Sequence, residues 1–384
     1  MSAALKPALV PGIHTTVRDL RAALEPHIGI AEWKSTIPIL SHVLVTVGDG
    51  GAILTSNDLE QSATTVTAAS ADGGVATFCF PLKRMVDLVR QLPPDAEISL
   101  HPDAEEVLIL CGNMTAAFDT IEATDFPDFK MEGLTHHFRL PASALSGLIE
   151  PAMHTISTEE TRYYLNGIFL HVVATETGPM LRAVATDGHR LPRTETEAPA
   201  GTEGMPGVIV PRQTLGRLRR LLKRFRGDVE ISLSDLRIAF RLGSSVLNSK
   251  LIDGTYPDYA KAIPAANPLT MHVDCASLVA AIGRIAAISR VNNTPVRFNV
   301  MKDAIDLSGV VPNIGRVCET VADGLVSYGG PEMTIGFNGR YLREMLQQMR
   351  TGVEISMLDP AAPTIFRDPG KPSEMFVLMP VRVS

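Results

Sequence analysis

Four cysteines in 384 residues, one tryptophan and 5% aromatic side chains exclude several common designs at the outset. Cys79, Cys111, Cys275 and Cys318 stand singly, with no Cys-x-x-Cys spacing. Buried reduced thiols in a cytoplasmic protein account for them, rather than disulfides or zinc. No apolar run approaches the ~20 residues needed to span a bilayer, and residues 1–12 lack the apolar core of a secretion signal. No membrane partner is expected. The sequence motifs of nucleotide binding, zinc proteolysis and serine hydrolysis (G-x-x-x-x-G-K-[ST], G-x-G-x-x-G, H-E-x-x-H, G-x-S-x-G) are all missing. No cofactor, no metal and no enzymatic activity are therefore expected. The nearest thing to a catalytic group is Thr186-Asp187-Gly188-His189-Arg190. It reads either as an oriented acid/base pair or as a tight turn, which wants the same residue types. His136-His137 has no ligand spacing around it and reads as surface loop.

What the chain does have is a pattern stated three times. Residues 81–100, 211–233 and 338–357 each begin on a helix-start residue (Pro81, Pro211, Asn338). Each continues as an apolar-and-basic helix, breaks, and opens a strand on Glu-Ile-Ser. Those triplets begin at Glu97, Glu230 and Glu354, giving periods of 133 and 124 residues. Solenoid repeats are far shorter; these periods are whole domains. An earlier helical face precedes each unit: Val17, Leu20, Leu24 and Ile28; Leu145, Leu148, Ile149, Ala152, Met153 and Ile156; Leu278, Ile282 and Ile285. Strand-like runs at 42–47, 53–56, 168–173, 181–186, 237–242, 296–300 and 304–308 lie between and after the helices. Asp125-Phe126-Pro127-Asp128-Phe129 closes the first copy and Thr255-Tyr256-Pro257-Asp258-Tyr259 the second. The expected fold is α+β, three similar domains at 1–136, 137–267 and 268–384, each with two helices packed on antiparallel sheet. Segment 195–207 is expected to be an exposed loop.

Net charge is −7, which argues against coating a polyanion but says nothing about where the positive charge sits. It sits on the repeated helices. Arg212, Arg217, Arg219, Arg220, Lys223, Arg224 and Arg226 follow one another without an acidic residue, over a stripe of Leu215, Leu218, Leu221, Leu222 and Phe225. Lys83, Arg84 and Arg90 occupy the first copy; Arg340, Arg343 and Arg350 the third, beside Glu344. Solvated helix faces would account for any one of these. Repetition points to a device for holding a polyanion. No base-reading motif accompanies the cations, so contact would be to phosphates, independent of sequence.

Particular strings then carry a resemblance. Thr161–Gly167 (TRYYLNG), Ala185–Leu191 (ATDGHRL), Ser249–Tyr259 (SKLIDGTYPDY) and Met379-Pro380-Val381-Arg382 resemble the bacterial DNA polymerase III β subunits, the replicative sliding clamps. Pro38-Ile39-Leu40, Asn57-Asp58-Leu59-Glu60 and Val208–Arg212 (VIVPR) extend the match over essentially the whole chain. The resemblance implies a DNA clamp fold and a head-to-tail homodimer ring of six similar domains, with helices lining the hole. Double-stranded DNA is encircled without sequence specificity. It also implies a pocket between the second and third domains for peptides of the polymerase III catalytic subunit, the clamp loader and other clamp-binding proteins. Matching pocket positions are Arg162, Leu165, Thr186, Gly188, His189, Arg190, Leu191, Pro257, Leu378, Met379, Pro380, Val381 and Arg382. Leu165, Leu191 and Met379 have a second reading, as core residues. Lys34, Tyr163 and Tyr164 match positions that touch DNA, the tyrosines being explained as well by packing; Lys83, Arg84, Arg212, Arg217, Arg220 and Arg224 join them from the helices. The seam is expected at 115–120 and 293–300, with Phe118 and Ile288 as apolar contacts. Ala260-Lys261-Ala262 and the Val383-Ser384 tail depart from the family pattern. They leave open a divergent paralogue acting as a repair or drug-insensitive scaffold.

Overall fold

A computed structural model describes residues 12–32, 36–48, 51–72, 76–288, 294–311 and 313–383. Among them α1 (Val17–Leu24), α2 (Leu82–Val89), α3 (Ala142–Ile149), α4 (Arg212–Leu222), α5 (Cys275–Ile288) and α6 (Gly339–Leu346) alternate with antiparallel strands. The expected repeat is present in each copy: α2, α4 and α6 lead to strands Glu97–Pro102, Asp228–Leu233 and Val353–Met357. Caps explain the starts. Thr16 accepts from the Asp19 amide, and Asn338 accepts from the amides of Arg340 and Tyr341, satisfying donors that a first helical turn leaves open.

The first of each helix pair is shorter than its apolar spacing predicts in two copies. Glu25-Pro26 and Glu150-Pro151 convert the chain to 3-10 turns at Glu25–His27 and Glu150–Thr155, because proline has no amide to continue the ladder. The third copy has no proline there, and α5 runs for 14 residues.

The chain divides into two compact units, 1–143 with 200–202 and 216–251, and 144–199 with 203–215 and 252–384. The first unit holds a five-stranded and an eight-stranded sheet. Val17, Leu20, Met85, Val89, Val45, Phe80, Ile98 and Ile109 form its core under α1 and α2. The eight-stranded sheet spans two copies, because Gln61–Thr67 pairs with Ser245–Lys250, Ser249 opposite Gln61. The second unit holds a nine-stranded and a four-stranded sheet. Its core gathers Leu278, Ile282, Phe298, Phe337, Leu342 and Phe366. The nine-stranded sheet also spans two copies, with Arg190–Glu197 paired to Glu374–Leu378 and Leu378 opposite Arg190. Segment 195–207 is less exposed than expected: Thr202 and Met205 are buried, and Gly201 lies against the His137 carbonyl.

Candidate functional site

The 186–190 turn is held by its own side chains. Asp187 Oδ1 accepts from the amides of His189 (3.0 Å) and Arg190 (3.1 Å), and Thr186 Oγ1 accepts from the Gly188 amide (3.1 Å). Gly188 takes φ +89°, which favours glycine, and a Cβ there would lie 2.9 Å from Arg162 Nη1, so a side chain would have to displace that guanidinium. Asp187 Oδ2 accepts from Arg190 Nε at 2.9 Å. The Asp187 carboxylate is thus committed to the turn and to Arg190, which fits the turn reading and not an acid/base pair with His189.

Behind the turn, Leu165, Val184, Leu191, Ile209, Tyr256, Ile365, Met375 and Val377 form one buried apolar group. Tyr256 stacks on Phe169 (4.8 Å between centroids) and Phe169 on His171 (4.4 Å). Burial raises the Tyr256 phenol pKa and pushes His171 down to about 4. Around the rim stand His189, Gly188, Pro257 and Met379, all exposed, Met379 at 39%. The Met379 amide donates to the His189 carbonyl (2.9 Å) and the Val381 amide to Gly336 (2.8 Å), which fixes the path of Pro380 and exposed Arg382. Arg162 is half-buried and bidentate to Glu159, holding that carboxyl below its usual range.

Two corrections follow from strand alternation. Leu378 points into the third-copy core, 1% exposed, and offers nothing to this rim. Val377 takes its place among the apolar group, sharing a face with Met379 two residues on. Tyr341 on α6 was also missed: its ring lies 6.2 Å from His189 and 4.1 Å under the Arg190 guanidinium. Only the fold brings it there, and no local motif announces it.

On the basic helices Lys83, Arg84, Arg212 and Arg220 are exposed, as is Arg224 just past α4, with Lys83 paired to Asp87 at 3.0 Å and Arg224 to Glu25. Arg217 is not. It is 8% exposed, donating to the Gln61 side chain and the Gly29 carbonyl, with Asp58 Oδ2 at 3.5 Å. A guanidinium so enclosed cannot reach a phosphate outside, and it leaves the expected contact set. Tyr163 is 53% exposed and packs edge-on against half-buried Tyr164 at 5.8 Å. Lys34 and the side chain of Ile288 lie outside the described residues.

Strand Met114–Asp119 ends the five-stranded sheet with a single strand neighbour among the described residues, so the 115–120 region is a sheet edge. Phe118 packs half-buried on the first core. The edge expected at 293–300 lies elsewhere: Pro295–Met301 is paired on both sides, to Ala304–Val311 and Met333–Asn338. Among the described residues this sheet ends on Gly315–Val321 at one side and Met333–Asn338 at the other, and Cys318 is exposed along the first. No group of three His, Cys, Asp or Glu among the described residues could hold a metal, and no helix there is long and apolar enough to cross a membrane.

Known proteins match this chain over nearly its whole length. Residues 16–130, 139–258 and 260–382 match the models for the N-terminal, central and C-terminal domains of the DNA polymerase III beta subunit. The beta sliding clamp of Caulobacter vibrioides is 36% identical over 372 residues, covering 94% of this chain and 98% of that one. That of Escherichia coli K12 is 30% identical over 353 residues, covering 91% and 94%. The Bartonella birtlesii sliding clamp, solved bound to griselimycin, superposes with a TM-score of 0.92 at 35% identity, covering 97% of this chain and all of that one. The griselimycin-bound Pseudomonas aeruginosa clamp gives 0.90 at 28%, again over 97% and 100%. The chain belongs to the DNA polymerase III β subunit family and is built of three clamp domains.

Proposed function

We propose that this chain is a DNA sliding clamp that works as a head-to-tail dimer ring, encircling duplex DNA and tethering polymerases to it. The carrying observation is the recurrence of exposed cations at equivalent helices, Lys83 and Arg84 on α2, with Arg212 and Arg220 on α4 and Arg224 just past its end, in a protein of net charge −7. Such a surface holds phosphates at any register, and closure supplies the persistence that weak contacts lack. Three domains at 1–136, 137–267 and 268–384 supply three joins per subunit. Two are strand pairings inside the chain, Gln61–Thr67 with Ser245–Lys250 and Arg190–Glu197 with Glu374–Leu378. The third would form between subunits, from the free edges Met114–Asp119 and Gly315–Val321. Phe118 and Ile288 would flank that seam.

The apolar group behind Met379, His189, Gly188 and Pro257 is the docking pocket for short peptides. Its partners are the polymerase III catalytic subunit, the clamp loader and other clamp-binding proteins, and griselimycin is a ligand of the same pocket. Arg162, Leu165, Thr186, Leu191, Pro380, Val381 and Arg382 complete it, with Val377 and Tyr341 added. Truncating an apolar anchor site of this kind costs on the order of 2 kcal/mol or more in binding. The chain does no chemistry of its own. No finding favours the paralogue reading raised by Ala260-Lys261-Ala262.

The test is retention on nicked circular DNA after loading by the cognate loader, before and after the circle is cut. Retention lost on linearisation means linkage by topology. Equal behaviour on both forms would mean ordinary surface binding and end the ring reading.

A further inference from the structure

The two strand joins inside the chain are built on one plan, down to single atoms. Gln61 and Arg190 each stand opposite the partner strand's corresponding residue, Ser249 and Leu378. Each follows an aspartate by three positions, Asp58 and Asp187. In both turns aspartate Oδ1 accepts from the amides two and three residues on: Glu60 (3.0 Å) and Gln61 (2.6 Å), then His189 (3.0 Å) and Arg190 (3.1 Å). In both, Oδ2 faces a guanidinium, Arg217 at 3.5 Å and Arg190 at 2.9 Å. In both, that guanidinium also donates to the carbonyl of the fourth residue after a Glu-Pro glutamate. These are Gly29 after Glu25 and, at 2.5 Å, His154 after Glu150. Its last partner is Gln61 in one join and Glu344, at 2.5 Å, in the other.

The guanidinium sits in the same place, but it arrives from opposite sides. Arg217 is the sixth residue of α4 and reaches down to a turn carrying Gln61; Glu344 is the sixth residue of α6 and receives Arg190 from the turn. Donor and acceptor have exchanged positions across the join. We propose that Arg190 and Arg217 are one structural clasp in two orientations, and that Glu344 is a positioning residue of the peptide pocket. Glu344 fixes Arg190, and Arg190 lies over Tyr341, whose ring faces His189 on the rim. All three Arg190 nitrogens have partners within the protein, so its head group is a strut and not a peptide contact. The pocket role rests on the function proposed above; the clasp equivalence does not.

The experiment uses the full-length protein, with griselimycin affinity by calorimetry at 25 °C and melting temperature read in parallel. Glu344→Gln keeps the shape, removes the charge, and should weaken griselimycin about tenfold, the worth of one lost charge-assisted contact. The double variant Arg190→Gln/Glu344→Arg installs the first join's arrangement in the second. It should recover the melting temperature lost by Arg190→Gln alone and bring affinity back to within about threefold of the parent. Recovery of melting temperature without affinity would mean Arg190 touches the ligand itself, overturning the strut. Recovery of neither would overturn the equivalence. Unchanged affinity in Glu344→Gln would overturn the positioning role. Met379→Ala is the control on the pocket: if it leaves griselimycin binding intact, the pocket assignment fails, and the clasp is then decided by melting temperature alone.

Discussion

The two joins share a clasp and differ at their outer edge. In the first, the strand pair ends on Glu60 and Lys250, an exposed ion pair at 2.8 Å, and the Lys250 amide bonds the Glu60 carbonyl. In the second, the matching positions are His189 and Met379, joined by the same backbone bond over an apolar group. The first therefore closes in charge and water, where such a pair is worth little, and the second leaves an apolar rim uncovered. One scaffold thus closes on an ion pair in one place and on an apolar group in the other, where the proposed docking pocket lies.

The largest break in this comparison should come from the buried clasp. Arg217→Ala leaves Asp58, with its side chain 16% exposed, facing an empty space, and should destabilise the first unit by about 3–5 kcal/mol. Arg190→Ala leaves Asp187, its side chain 18% exposed, facing the same kind of space and should cost the second unit a similar amount. Amide exchange resolved by segment measures both. Clearly unequal losses would mean that burial of the clasp aspartate does not set the size of the effect.

Much of this architecture was legible beforehand. The domain-length period, the helix starts at Pro81, Pro211 and Asn338, and the basic content of α2 and α4 are local signals, and the structure places helices and strands where they fell. What was not legible depended on partners far along the chain. Arg217 looked like one more cation on a basic helix, yet its burial is set by Gly29, Asp58 and Gln61, more than 150 positions away. The free edge at Gly315–Val321 follows from sheet order, which strand propensity does not contain. Leu378 and Val377 face opposite sides of one strand, an alternation that the resemblance of residues 379–382 does not convey.

A second difference concerns acid. His27 is fully buried in the first unit, its Nδ1 on Ser56 Oγ at 2.8 Å and Nε2 without a partner among the described residues, and burial drives its pKa to about 3. His171 in the second unit is held at about 4. Above pH 6.5 both are neutral folded or unfolded, and pH has no effect through them. Below 6.5 the unfolded chain takes protons that the folded chain refuses, so stability falls until the folded pKa is reached. At pH 5 each should cost about 2 kcal/mol, on the order of 1.4 kcal/mol per pH unit. Between pH 4 and pH 3 only the His27 loss continues, so the first unit should open first. His27→Leu should flatten the pH slope of exchange there and leave that of the second unit alone. An unchanged slope would assign acid sensitivity to other groups.

The smallest effect tests the turns themselves. Gly188 and Leu59 occupy the same turn position, at φ +89° and +72°, and only one is glycine. A left-handed conformation costs a side-chain-bearing residue about 1–2 kcal/mol, while glycine loses some 0.5–1 kcal/mol more backbone entropy on folding. Leu59 is 42% exposed, so little packing is lost with it. Leu59→Gly should therefore stabilise the first unit by under about 1 kcal/mol. The reverse change, Gly188→Leu, carries the same strain and adds a collision with Arg162 Nη1. It should both destabilise the second unit and weaken griselimycin. If Leu59→Gly instead destabilises, the exposed leucine is making a contact that strain alone does not account for, and the first join is less plain than its ion pair suggests.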